Sequence, residues 1–183
     1  MNDYLILVDE NDKQWGKLEK LMVHELGLLH RAFSVFVFNV KGELLIQQRA
    51  ESKYHSGGLW TNTCCSHPRY GEDLPWAIER RLQEEMGMNC ETEFAFSFKY
   101  KATFENGLTE HEFDHVYFGI SDELPIPETE EVQDWAYITM ENLEADIKNN
   151  PEKYTVWLTI CFPKVKKYYQ ETFKNNLLKF TSI

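Results

Sequence analysis

The chain has 183 residues, 43% of them apolar, with 12 Phe, 9 Tyr and 5 Trp, and carries a formal net charge of −11. Such a composition excludes a disordered chain and predicts a single domain over residues 1–183 that buries roughly 70% of its unfolded surface. The acidity argues against nucleic acid or an anionic membrane as partner, since phosphate is captured by clustered Lys and Arg, so a small anionic ligand would need a local basic pocket.

No apolar run reaches about 18 residues, and Met1-Asn2-Asp3-Tyr4 opens acidic rather than as a signal peptide. The expectation is a cytoplasmic protein with no membrane insertion, whose Cys64, Cys65, Cys90 and Cys161 are reduced thiols.

In chain order, Leu5-Ile6-Leu7-Val8 predicts a strand turned by Asp9-Glu10-Asn11-Asp12, and residues 17–26 predict a short helix carrying Lys20 and His24, stopped by Gly27. Residues 34–38 and 44–48 read as a hairpin, with Arg49 and Lys53 just after it. Gly57-Gly58 breaks the chain before a strand over 59–63, which leads into the corner Cys65-Ser66-His67. A helix follows, started by Gly71-Glu72-Asp73 with Pro75 in its first turn and ended by Gly87. Phe94, Phe96, Phe98, Tyr100, Ala102 and Phe104 alternate as one face of a long strand, Asn106-Gly107 turns it, and 110–120 returns. An acidic loop over 121–132, a strand over 134–138, a helix over 141–149 and a helical region over 151–180 interrupted at Pro163 complete the chain. Strands and helices interleave without a βαβ repeat and most strand neighbours look antiparallel, so the fold class is α+β.

Two groups of residues stand out. At about 100° per residue, Arg81 and Glu85 share a helical sector with Leu74, Ile78 and Leu82, so both charges face the packed side, where each needs a partner. His24, His30, His67, Glu110 and Glu112 form the second group. Taken singly, each histidine reads as a hydrogen-bonded structural residue, but Glu110 and Glu112 share a strand face and could converge on a cation with imidazoles. Three nitrogens and two carboxylates suit an octahedral divalent ion better than a tetrahedral structural zinc. His55, His111 and His115 read as structural or surface residues. Strand neighbours face opposite sides, so at most one of Cys64 and Cys65 looks into a given cleft.

The segment from Ser66 to Met88 resembles the box of the Nudix superfamily, supplying Glu72, Arg80, Leu82, Glu84, Glu85, Gly87 and Met88 at that spacing, with Ser66 in place of a Gly and Arg81 in place of a Glu. Together with Thr61-Asn62-Thr63-Cys64-Cys65-Ser66-His67-Pro68 and Thr109-Glu110-His111-Glu112, it resembles the type 1 isopentenyl-diphosphate isomerase family within that superfamily, from about Leu5 to Trp157. The resemblance implies an α/β/α sandwich with mixed and antiparallel strands, an N-terminal strand and C-terminal helical additions. It also implies interconversion of isopentenyl and dimethylallyl diphosphate.

Carried over, it makes Cys65 and Glu112 the acid and base on opposite faces of the double bond. Tyr100 would support the carboxyl and Trp157 would face the carbocation, while Lys20, Arg49, Lys53 and Arg81 would bind the diphosphate. His24, His30, His67, Glu110 and Glu112 would hold a divalent ion (Mn2+, Mg2+ or Zn2+), and Glu85 would hold Mg2+ against the bound diphosphate. Val156 departs from the family, which has a proline before the tryptophan. The implied partner is a small isoprenoid diphosphate, and the implied state a monomer or weak dimer. Two other readings, a Nudix hydrolase and a non-catalytic binding module, are disfavoured by Arg81 with Cys65 and by the full thiol, carboxylate and histidine set.

Overall fold

The computed structural model describes residues 4–175 and 177. Among the described residues, nine strands and four α-helices follow one another: β1 (Tyr4–Val8), β2 (Gln14–Glu19), α1 (Lys20–Leu26), β3 (His30–Phe38), β4 (Leu44–Arg49), β5 (Trp60–Thr61), β6 (Cys64–Ser66), α2 (Leu74–Met86), β7 (Thr92–Thr103), β8 (Thr109–Ile120), β9 (Val132–Ile138), α3 (Met140–Asn149) and α4 (Val156–Tyr168). Among the described residues no helix is long and apolar enough to cross a membrane.

Strand β3 organises the sheet. Along its whole length it pairs with β8 in parallel, from His30 opposite Glu112 to Phe38 opposite Ile120. Its other partners, β1 at His30, β6 at Phe33–Val35 and β4 at Phe38, are antiparallel and succeed one another. Because β4 meets β3 only at Phe38 and then pairs with β5 and β9, the segment 60–66 lies between the two strands. The continuous apolar run of β3 is what a strand covered on both faces requires. Phe33, Val35 and Val37 pack with Ala77, Ile78, Leu82 and Met86 of α2, while Phe36 and Phe38 pack with Trp157, Leu158, Phe162 and Val165 of α4. The result is the expected α/β/α sandwich.

Four local expectations change. Residues 14–19 are a strand, so the helix expected from residue 17 begins at Lys20. The strand expected over 59–63 stops at Thr61, because Asn62 and Thr63 turn their side chains on the backbone. Asn62 Nδ2 donates to Val35 O (3.1 Å) and Cys64 O (2.7 Å), and Thr63 Oγ1 donates to Leu45 O (2.6 Å). A bulge between Phe94 and Phe96 shifts the register of β7, so Phe94 leaves the inner face, is 53% exposed, and lies beside Tyr117 and His115.

Pro163 does not interrupt α4. It lies on the exposed side, where the carbonyl that loses its donor can reach water, while Cys161, Phe162 and Val165 hold the helix to the sheet on either side of it. A π-helical turn, Tyr169–Phe173, follows; residues 178–180 of the helical region expected to end at Phe180 lie outside the described residues.

Candidate active site

One cavity, with about 510 Å3 of open space including its mouth, is lined by Lys20, Arg49, Lys53, Tyr54, His55, Cys65, Ser66, His67, Arg81, Glu85, Tyr100, Glu110, Glu112 and Trp157. Eleven of these were singled out from the sequence, and His24 and His30 lie fully buried against the same group.

Strand pairing decides which thiol reaches it. Cys65 lies opposite Ser34 in β3 and packs toward the α4 side, whereas Cys64 is fully buried toward α2. Thr61 joins this segment to α4, accepting from Trp157 Nε1 at 2.9 Å and sharing a 2.9 Å hydrogen bond with Thr155 Oγ1. Helix α4 starts at Val156, the first helical position where a proline would be favoured, so the substitution there leaves Trp157 facing the cavity. Arg49 stacks over the indole with its Cζ 5.2 Å from the ring centroid, and its guanidinium donates to the carbonyls of His55 and Ser56.

On the opposite wall, Glu110 and Glu112 lie on one face of β8, with Tyr100 directly across from Glu112 in β7. Burial, reinforced by Glu110 and Asp114, pushes the Glu112 carboxyl well above the usual carboxylate range. Burial likewise pushes the Cys65 thiol up to about 12, against the pull of Arg49, so both groups are held toward their neutral, proton-carrying forms. Burial also raises the Tyr100 phenol, with Glu112 adding to it, and keeps it a hydrogen-bond donor.

His24, His30, His67 and Glu110 bring one donor atom each to within 4.8 Å of one another. His24 Nδ1 donates to Lys20 O at 2.6 Å and His30 Nδ1 to Leu28 O at 2.8 Å, which leaves both Nε2 atoms as lone pairs. Those lone pairs face other acceptors. His24 Nε2 lies 3.0 Å from Glu110 Oε2, His30 Nε2 is 3.1 Å from His67 Nε2, and His67 Nε2 is 2.7 Å from Glu112 Oε1.

Separations near 3 Å are the edges that a coordination shell with bonds of about 2.0–2.2 Å would have. His24 Nε2 and Glu110 Oε2 have no hydrogen-bonding partner, although both are buried, and a cation between them supplies what a proton cannot supply to all of them at once. Burial and the neighbouring His30 hold His67 well below its ordinary value, in the neutral form a metal needs.

On the α2 side of the cavity, Glu85 is buried, as its helical sector predicted. Its Oε2 accepts from Gln47 Nε2 at 2.9 Å and its Oε1 from Arg81. Arg81 also donates to Glu84 (2.7 Å) and to Glu131 (3.1 Å), and Glu131 is paired with Lys53 as well. Lys20 lies over the Tyr54 ring.

Sequence reasoning missed three of these residues. His55, expected to be structural or on the surface, is buried and donates from Nε2 to Glu110 Oε1 at 2.9 Å, leaving Oε2 for the histidine group. Gln47 could have been noticed as an amide ending the apolar run 44–46; Glu131 gave no signal within its acidic loop.

In fold, the chain is similar to a solved structure from Deinococcus radiodurans (TM-score 0.74, 23% identity, 88% of this chain and 98% of that one) and to the MutT protein of Methanosarcina mazei (0.65, 16%, 78% and 96%). The model of the NUDIX domain family matches residues 28–158. Isopentenyl-diphosphate Delta-isomerase 2 of Aromatoleum aromaticum is 50% identical over 165 residues, 90% of this chain and 87% of that relative. The isopentenyl-diphosphate Delta-isomerase of Serratia proteamaculans is 52% identical over 161 residues, 87% and 90%. The chain therefore belongs to the NUDIX family and, within it, to the isopentenyl-diphosphate Delta-isomerases.

Proposed function

We propose that the chain interconverts isopentenyl diphosphate and dimethylallyl diphosphate, with Cys65 and Glu112 as the two proton-transferring groups. The observation that carries this reading is a partly buried thiol and a buried carboxyl facing one cavity that Lys20, Arg49, Lys53 and Arg81 also line. A hydrolase needs an activated water; here the lining offers instead a thiol and a carboxyl, one to give a proton and the other to take one, and an aromatic wall.

The reaction moves the double bond from C3–C4 to C2–C3. One group gives a proton to C4, the positive charge rests on the tertiary C3, and the other group takes a proton from C2; in the reverse direction the two exchange roles. An alkene is barely basic, so the cation must be shielded from water and stabilised by fixed electrons. Trp157 supplies an indole face, worth on the order of 2 kcal/mol when desolvated. The Thr61 hydrogen bond holds that ring in place, and Tyr100 directs its phenol at the Glu112 carboxyl. Lys20, Arg49, Lys53 and Arg81 anchor the diphosphate end, fixing C2 and C4 relative to the two proton carriers.

His24, His30, His67 and Glu110 would hold a divalent ion, Mn2+, Mg2+ or Zn2+, with Glu112 beside them at 2.7 Å from His67 Nε2, and Glu85 would hold Mg2+ near the diphosphate. When bound, these ions supply positive charge that favours the carboxylate form of Glu112 and neutralises the diphosphate. The test is incubation of the protein with isopentenyl diphosphate and separation of products. An allylic diphosphate is expected; released phosphate would make the chain a hydrolase, and unchanged substrate a binding module.

A further inference from the structure

Beside the cavity, and sharing its mouth, is a second depression. Among the described residues, its lining includes five cations, Lys20, Lys53, Arg69, Arg80 and Arg81, and one acid, Glu131. Glu131 lies in the loop between β8 and β9, and that loop is fastened by its backbone. Ile126 N donates to Met86 O (2.8 Å), Glu128 N to Glu85 O (3.1 Å), Val132 N to Glu128 O (2.9 Å), and Ala50 N to Glu131 O (3.0 Å). The carboxylate is thereby delivered to Lys53 and to Arg81 Nη2.

Glu131 is not needed to neutralise Arg81, which already holds Glu84 and Glu85. Between them, Lys53 and Arg81 face three carboxylates, so at these two cations an incoming diphosphate must displace an anion. Of the three, Glu85 is buried and held by Gln47, and Glu84 pairs with Arg80 as well as Arg81. Of these three, Glu131 is the one shared by Lys53 and Arg81, two of the four cations assigned to the diphosphate, and its side chain, 26% exposed, borders the open depression.

We infer that Glu131 is an internal competitor of the diphosphate, a carboxylate that occupies Lys53 and Arg81 until phosphoryl oxygens take over their N–H donors. The inference rests on the assignment of Lys53 and Arg81 to the diphosphate. It makes ligand exchange a swap of one anion for another, which keeps both cations ordered in either state and prevents the product from being held too tightly.

The experiment measures inhibition by inorganic pyrophosphate in the magnesium-supplemented isomerase assay, for the parent, Glu131→Gln and Glu131→Ser. Removing one negative charge from a partly exposed site should lower the inhibition constant roughly tenfold in both variants, with the Michaelis constant for isopentenyl diphosphate falling in parallel. A residue that merely positions the cations would behave otherwise: the amide would match the parent, and serine would raise the constant. An inhibition constant unchanged or raised in both folded variants overturns the inference, and the serine variant decides alone if the amide does not fold. If pyrophosphate fails to inhibit the parent, the assignment of Lys53 and Arg81 falls instead, and the competitor role falls with it.

Discussion

Removing the cation from the histidine group should cost the protein measurable heat stability. Without it, Glu110 Oε2 and His24 Nε2 are buried acceptors 3.0 Å apart and without a donor, each worth about 1–3 kcal/mol of lost solvation. A metal at a hundred times its dissociation constant stabilises the folded state by about 2.7 kcal/mol, and in a chain of this length each kcal/mol moves Tm by about 2–4 °C. Chelator-treated protein should therefore gain about 5–11 °C when Mn2+ or Zn2+ is titrated in, read by differential scanning fluorimetry at a concentration a hundred times the titration midpoint. In Glu110→Gln the carboxamide can still meet His55, but the charge is gone, and the gain should shrink to about 2 °C or less. A parent protein that both metals leave unmoved, or a Glu110→Gln variant that gains as much as the parent, would refute the metal assignment.

Cys65→Ala should lower isomerisation by at least about 10^2–10^4-fold with the fold intact by circular dichroism, and Cys64→Ala, facing α2, should stay within about fivefold of the parent; equal losses would mean the wrong thiol was assigned. Gln47→Leu removes the donor from both Glu85 Oε2 and Thr63 O, so urea denaturation should show a loss of about 1–3 kcal/mol per orphaned acceptor, and the magnesium needed for half-maximal rate should rise. If neither changes, Gln47 does not hold Glu85. Burial, opposed by Asp12, holds His115 below its ordinary 6.5. A depressed pKa contributes stability that is complete above pH 6.5 and is lost as pH falls through the folded value, so His115→Gln should lose less stability than the parent between about pH 7 and pH 5. Urea midpoints falling equally in both proteins over that range would exclude the contribution.

What the sequence could reveal depended on whether the signal was local. Apolar alternation, the Asn106-Gly107 turn and the Gly87 stop each act over a few residues, and the strands and helices they mark formed near the expected positions. The bulge at Phe94 was invisible because the apolar alternation runs through Phe94 and Phe96 without a break, and only the extra residue in the strand pairing turns Phe94 to the other face. Nothing in the composition of β3 or β8 announces that they run parallel; the choice follows from the intervening elements that reach round to bring β8 beside it.

In the cavity, residues with unusual chemistry at motif spacing were legible. His55 and Glu131 were not, because a histidine and a glutamate in polar loops acquire meaning only from Glu110, Lys53 and Arg81, all distant in the chain. Arg81 was read as a cation waiting for an anion. Its guanidinium is instead already engaged by three carboxylates, a state of affairs set by tertiary contacts.

The loop over residues 121–131 is fastened to α2 through main-chain atoms. Ile126 donates its N–H to Met86 while its side chain is 78% exposed, and a Cβ at Gly87 would come within 2.2 Å of the Ile126 carbonyl oxygen. The loop's attachment to α2 is thus guarded by one glycine and by amide hydrogens that nearly every residue possesses, and the exposed side chains of Glu123 and Glu130 take no part in it. Glu123 and Glu130 can then be exchanged for neutral or basic residues without displacing the carboxylate of Glu131. The electrostatic field at the cavity mouth becomes a property that sequence drift or an engineer can tune, independently of the scaffold that aims it.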